Sequence, residues 1–126
     1  RATRNWELKL NKKAKVKALF MVLSDKAKES KLIIIDNIHL EPVKTKEFVK
    51  ILSDFKKTIK EMGKKLLVVL PRADKNLSRC SRNIPGVSSI LASSLNLVEA
   101  LKADTVLVLK DSLPVIEKVY LKSKEK

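Results

Sequence analysis

Four short apolar runs punctuate the chain, at 32–35, 66–70, 87–91 and 105–109. Leu32-Ile33-Ile34-Ile35, Leu66-Leu67-Val68-Val69-Leu70 and Thr105-Val106-Leu107-Val108-Leu109 are continuous, with no polar alternation. That pattern predicts strands buried on both faces, as in a parallel sheet with helices above and below. Val87-Ser88-Ser89-Ile90-Leu91 alternates, and predicts an edge strand. Between the runs the period lengthens to that of a helix. Over 44–62, Phe48, Leu52, Phe55, Ile59 and Met62 form one stripe, with Lys50, Lys56, Lys57 and Lys60 away from it. Pro42 and Gly63 punctuate its two ends. A first helix is predicted over 10–29, with Val16, Leu19, Phe20, Leu23 and Ala27 on its packed side. Shorter helices are predicted at 74–83, at 96–103 and at 111–123. Pro85-Gly86 cuts off the first of these, and Asn96 and Glu99 have capping-box spacing in the second. In the third, Pro114 is tolerated in the first turn and Leu113, Ile116 and Tyr120 face inward. Strands alternating with helices give an α/β fold.

A length of 126 residues fits one domain, expected over 10–126 and preceded by a basic arm at 1–9. With 44% hydrophobic residues the chain has enough apolar surface for an ordinary core, which argues against wholesale disorder. A single cysteine, Cys80, excludes an internal disulfide and fits a reducing compartment. No apolar run approaches the roughly 18–20 residues of a membrane span, and no signal-peptide pattern opens the chain. The first residue is Arg1 rather than methionine, as expected of a processed or truncated piece.

Charge sharpens this picture. Twenty-eight Lys and Arg stand against 14 Asp and Glu, a formal charge of +14. By stretch, the balance is +7 over 1–31, +1 over 32–63, +5 over 64–95 and +1 over 96–126. A solubilising surface spreads its charge more evenly; this distribution points to a basic face for a polyanion. Nucleic acid ranks first and an anionic membrane surface a distant second.

An α/β sheet also invites an enzymatic reading. Only Gly63 and Gly86 are glycines, too few for a dinucleotide fingerprint or a phosphate loop. His39 and Cys80 have no ligand-like spacing; His39 reads as a structural or solvated histidine and Cys80 as a packing thiol. Asp36, Asp74 and Asp111 each follow a strand and together could gather a divalent metal. N-capping accounts for Asp74 and Asp111 without one. A small metal-dependent α/β enzyme using these aspartates is therefore the runner-up.

The basic residues carry more. Lys9, Lys13 and Lys17 recur every four residues and form one ridge on a helix, with Lys12 and Lys15 beside it. Arg1 and Arg4 precede this ridge with forked phosphate donors, and Trp6 is placed to stack on a base or ribose. In the second basic stretch Arg72 follows a strand, while Arg79 and Arg82 are neighbours on one helix face near Lys75. A solvated charged face is the plain alternative for both. Little suggests base-specific readout; backbone and shape recognition, as for folded RNA, is the expectation.

The segments WELKLNKKAKVK (6–17), LIIID (32–36), PVKTKEF (42–48) and NLSRCSRNIPGV (76–87) together resemble the large-subunit ribosomal protein L-four family. Leu95-Asn96-Leu97, Lys102-Ala103-Asp104 and Leu109-Lys110-Asp111-Ser112-Leu113 continue the family order, so the resemblance covers almost the whole chain. The bacterial or plastid branch is the closer one. The resemblance implies a three-layer α/β/α domain around a central, mainly parallel four-stranded sheet, and a non-catalytic rRNA-binding role in the large subunit. It also implies an upstream N-terminal helix and a long loop that helps line the peptide exit tunnel, with Arg1 and Arg4 as the returning stem of that loop. Arg79 and Cys80 stand where small residues are usual in the family. The expected rRNA contacts are Arg1, Arg4, Trp6, Lys9, Lys12, Lys13, Lys15 and Lys17, then Lys44, Lys46, Arg72, Arg79 and Arg82. Expected partners are large-subunit rRNA and neighbouring large-subunit proteins, with no cofactor, membrane or small-molecule substrate. The expected place is the ribosome, cytoplasmic or organellar.

Overall fold

A computed structural model of the chain describes residues 9–38, 43–59 and 62–121. Arg1, Arg4, Trp6, His39, Pro42 and Lys60 lie outside the described residues. The elements run α1 (Lys12–Lys28), β1 (Leu32–Ile35), α2 (Thr45–Thr58), β2 (Leu66–Leu70), α3 (Lys75–Ser81), β3 (Val87–Leu91), α4 (Leu97–Lys102), β4 (Thr105–Leu109) and α5 (Ser112–Ile116). A 3-10 turn at Ala92–Ser94 follows β3, and a π turn at Glu117–Leu121 follows α5.

The four strands form one sheet in the order β1-β4-β2-β3, and all three pairings are parallel. Side chains alternate between two helical layers. On one face Leu67, Val69, Val106 and Val108 pack with Leu19 of α1, Ala100 of α4 and Ile116 of α5. On the other, Leu66, Val68, Leu70, Leu107 and Leu109 pack with Phe48 and Leu52 of α2 and Leu77 and Cys80 of α3. The fold is thus the expected α/β/α sandwich, with Cys80 a buried packing thiol.

The placement of helices follows from strand order and handedness. Moving from β1 to β2 to β3 goes one way across the sheet, and moving from β3 to β4 comes back. Right-handed crossovers then put α2 and α3 on one face and α4 on the other.

Several expectations need correction. The run 32–35 is not buried on both faces: β1 is the edge opposite β3, and Ile34 is 52% exposed. Its apolar character was legible, but edge position depends on which strand pairs with β4. The helix expected over 44–62 stops at Thr58, because Ile59 turns extended. The one expected over 111–123 is α5 plus the π turn, and Leu113 points to solvent rather than inward. The widening coincides with Tyr120 donating its hydroxyl to the carbonyls of Leu95 (2.7 Å) and Ser93 (3.1 Å). Ala27, expected on the packed side of α1, is exposed.

Both glycines serve the amino edge of the sheet. The Gly86 carbonyl accepts from the Leu66 amide at 2.7 Å, and Gly86 has φ +78°. A Cβ there would stand 2.8 Å from the Lys64 carbonyl oxygen. Gly63 donates its amide to Thr105 Oγ1 at 3.0 Å, and a Cβ on it would collide with the Asp104 side chain.

Candidate nucleic-acid interface

Helix α1 is longer than the sheet it covers. Its 17 residues span roughly 25 Å, while strands of five residues span roughly 17 Å. The carboxyl end is fixed at the amino edge of the sheet, where Lys26 Nζ donates to the Ala103 carbonyl at 2.6 Å. The amino end therefore reaches past the carboxyl edge. Burial agrees: Leu19 is the only buried residue of α1, and every residue from Lys9 to Lys15 is exposed.

Lys9, Lys12, Lys13, Lys15 and Lys17 are all exposed, and among the described residues none has a carboxylate within 4.0 Å. The same holds for Lys44, Lys46, Arg72, Arg79 and Arg82. Four cations of the charge-balanced stretches do have partners. Lys50 pairs with Glu47, Lys57 with Asp54, Lys102 with Glu99 and Lys110 with Asp36. Within those balanced stretches Lys44, Lys46, Lys56 and Lys118 have no carboxylate partner among the described residues, so pairing is partial there, whereas the ridge lysines of α1 and Arg72, Arg79 and Arg82 are all unpaired. Lys31 is the exception within 1–31: it pairs with Glu29 at 2.7 Å, which raises the lysine's pKa and lowers the glutamate's.

The two basic stretches do not share one face, contrary to the single basic face that the charge count suggested. Helix α1 lies in one helical layer, whereas α3, which carries Arg79 and ends at Arg82, lies in the other. Lys44 and Lys46 open α2 in the α3 layer, and Arg72 follows β2 at the carboxyl edge. The structure therefore separates the α1 ridge from the Arg79–Arg82 pair.

A feature the pattern missed is a groove of about 910 Å³ beside α1. Lys12, Lys13, Lys17 and Lys28 border it, and Val16, Phe20, Met21, Tyr120 and Leu121 supply apolar surface. Lys17 and Lys28 are three helical turns apart, a spacing that could have revealed Lys28 as part of this face.

The three strand-end aspartates do not gather into one cluster: Asp74 and Asp111 border one crevice, and Asp36 does not. Asp36 meets Lys110 at 3.4 Å. Asp74 caps α3, its Oδ1 accepting from the amides of Asn76 (2.8 Å) and Leu77 (3.3 Å). Asp111 makes no side-chain cap, contrary to expectation: its backbone is already helical (φ −66°, ψ −12°), whereas a capping residue is extended. Among the described residues no group of three or more His, Cys, Asp or Glu could hold a metal ion. Asn96 does cap α4, its Oδ1 accepting from the Glu99 amide at 2.9 Å. No helix among the described residues is long and apolar enough to cross a membrane.

The chain is similar to known proteins over most of its length. A family model described as ribosomal protein L4/L1 family matches residues 1–119. Curated relatives named large ribosomal subunit protein uL4 include one from Thermoanaerobacter sp. (strain X514), 36% identical over 93% of this chain and 54% of the relative. Another, from Phocaeicola vulgatus, is 40% identical over 92% of this chain and 54% of the relative. The chain spans about half the length of the curated relatives it matches.

Proposed function

The chain belongs to the ribosomal protein L4/L1 family, and from that premise we propose that it is a structural, non-catalytic part of the large ribosomal subunit that binds rRNA. The observation that carries this reading is the overhanging amino half of α1, whose lysines are exposed and lack carboxylate partners among the described residues.

Lys9, Lys12, Lys13, Lys15 and Lys17 neutralise phosphates, and the arm residues Arg1 and Arg4 extend the contact upstream, with Trp6 stacking. Lys44, Lys46, Arg72, Arg79 and Arg82 contribute from the opposite layer and the carboxyl edge, so the RNA embraces the domain rather than lying on one flat side. Such contacts sense backbone and shape, since ammonium groups on a helix ridge carry little sequence information. Neighbouring large-subunit proteins are the other partners, and the site of action is the ribosome.

The test is to replace Lys9, Lys12 and Lys13 together by Glu and measure binding to large-subunit rRNA fragments and co-sedimentation with large subunits. Loss of binding with an unchanged fold is the expected result; unchanged affinity at moderate salt would overturn the assignment.

A further inference from the structure

The connections leaving β1 and β2 go to the α2–α3 layer, whereas that leaving β4 goes to the other. In open α/β sheets such divergence opens a crevice outside the carboxyl ends of the strands, where ligands bind. Here it measures about 320 Å³, at the small end of the roughly 300–1,000 Å³ typical of ligand pockets. Its lining is chiefly polar, from Asn37, Arg72, Asp74, Asn76 and Asp111, around a small apolar floor where Ile38, Leu70 and Leu109 are each less than one-tenth exposed.

Of the three strand-end carboxylates, Asp36 is engaged by Lys110 and Asp74 by the α3 amides. The Asp111 carboxylate and the Arg72 guanidinium have no partner among the described residues. The crevice thus offers a free carboxylate and a forked cation above a small apolar floor. An aspartate accepts two parallel N–H groups. Among the four RNA bases only guanine presents adjacent imino and amino donors on its Watson–Crick edge; adenine, cytosine and uracil each place an acceptor beside their donor. Arg matches phosphate with two parallel bonds.

We propose that this crevice binds one guanine nucleotide, its base over Ile38, Leu70 and Leu109, its N1–H and N2–H donating to Asp111, and its phosphate held by Arg72. The volume suits a single unpaired base and not a base pair, as in recognition of bases splayed out of folded RNA. The site depends on the rRNA reading only for the source of the guanine.

Amide NMR spectra of the chain are recorded with GMP, with AMP, with inorganic phosphate, and with uridine oligonucleotides carrying one central guanosine or adenosine. The expected result is that a guanine probe shifts the amides of Arg72 and Asp111 and binds on the order of tenfold tighter than its adenine counterpart. Asp111→Asn removes the preference, and Arg72→Gln weakens guanine and adenine probes alike. A response to the oligonucleotide alone makes an RNA residue the ligand; a response to GMP as well admits the free nucleotide. Equal affinity for guanine and adenine, a match by phosphate alone, or silence of the crevice amides overturns the proposal. The Lys9/Lys12/Lys13→Glu variant keeps its GMP response, so failure of the crevice and failure of the α1 ridge are read separately.

Discussion

The Lys26 ammonium of α1 donates to the Ala103 carbonyl at the end of α4, at 2.6 Å, across 77 positions of sequence. With a second, longer bond to the Asp104 carbonyl (3.4 Å), it fixes the carboxyl end of the basic helix to the amino edge of the sheet and leaves its amino half projecting. Lys26 is consequently a structural lysine, unlike its neighbours on the ridge.

Lys26→Met keeps the aliphatic stem and removes the donor. It should cost about 1.5–3 kcal/mol of unfolding free energy, the usual worth of a hydrogen bond to a charged group. Lys28→Met, on an exposed side chain, should cost less than about 0.5 kcal/mol. Urea titration of the two variants gives the comparison.

Binding of the parent chain to rRNA should weaken steeply with salt, since each neutralised phosphate contributes roughly 0.7–0.9 to the log–log slope. Substituting Lys9, Lys12 and Lys13 by Gln should flatten that slope by about two to three. Lys50→Gln with Lys57→Gln, a pair already satisfied by Glu47 and Asp54, should leave it unchanged. Filter binding across a salt series measures both.

Gly86→Ala places a Cβ in a left-handed backbone conformation and against the Lys64 carbonyl oxygen. The conformational cost alone is about 1–2 kcal/mol, and the close approach adds to it. A thermal midpoint lowered by at least about 4 °C is expected.

Asp104 is held below the 3.8 of an ordinary aspartate, first by the Lys65 amide that donates to its Oδ2 at 2.9 Å. Burial opposes the shift, and the Lys64 amide and the charges of Lys65 and Lys26 assist it. A folded-state value below the unfolded one means that the carboxylate stabilises the fold above about pH 4 and loses that contribution as pH falls through the folded value. Asp104→Asn should therefore be less stable than the parent at neutral pH and approach it in acid. Denaturant midpoints measured from pH 7 to pH 2.5 test the convergence.

Asp36 is engaged by Lys110 and Asp74 by the α3 amides, which leaves only Asp111 of the strand-end aspartates free among the described residues, so divalent metal should not stabilise the fold through them. Adding Mg²⁺ or a chelator should leave the thermal midpoint unchanged. A rise with metal that Asp74→Ala abolishes would restore the metal-site reading.

The amino-acid sequence determined the strands, the α/β class and the strand residues that fill the two cores, because apolar period is a local property that survives any arrangement of the elements; it misplaced Leu113 and Ala27, both exposed. It also located the excess charge, and it carried the family through motifs spread over nearly the whole chain. The cap of α3 by Asp74 and that of α4 by Asn96 were legible for the same reason, each acting within three residues. Strand order was not legible, because parallel partners are chosen by contacts distant in sequence. That order decided that β1 is an edge and, through the handedness of crossovers, that α3 and α4 lie on opposite faces; α1 shares the α4 layer by packing against it. It also set Arg72 and Asp111, 39 positions apart, on the walls of one crevice. Composition could count the charges, but only the tertiary structure divided them between two layers and showed which had found a partner.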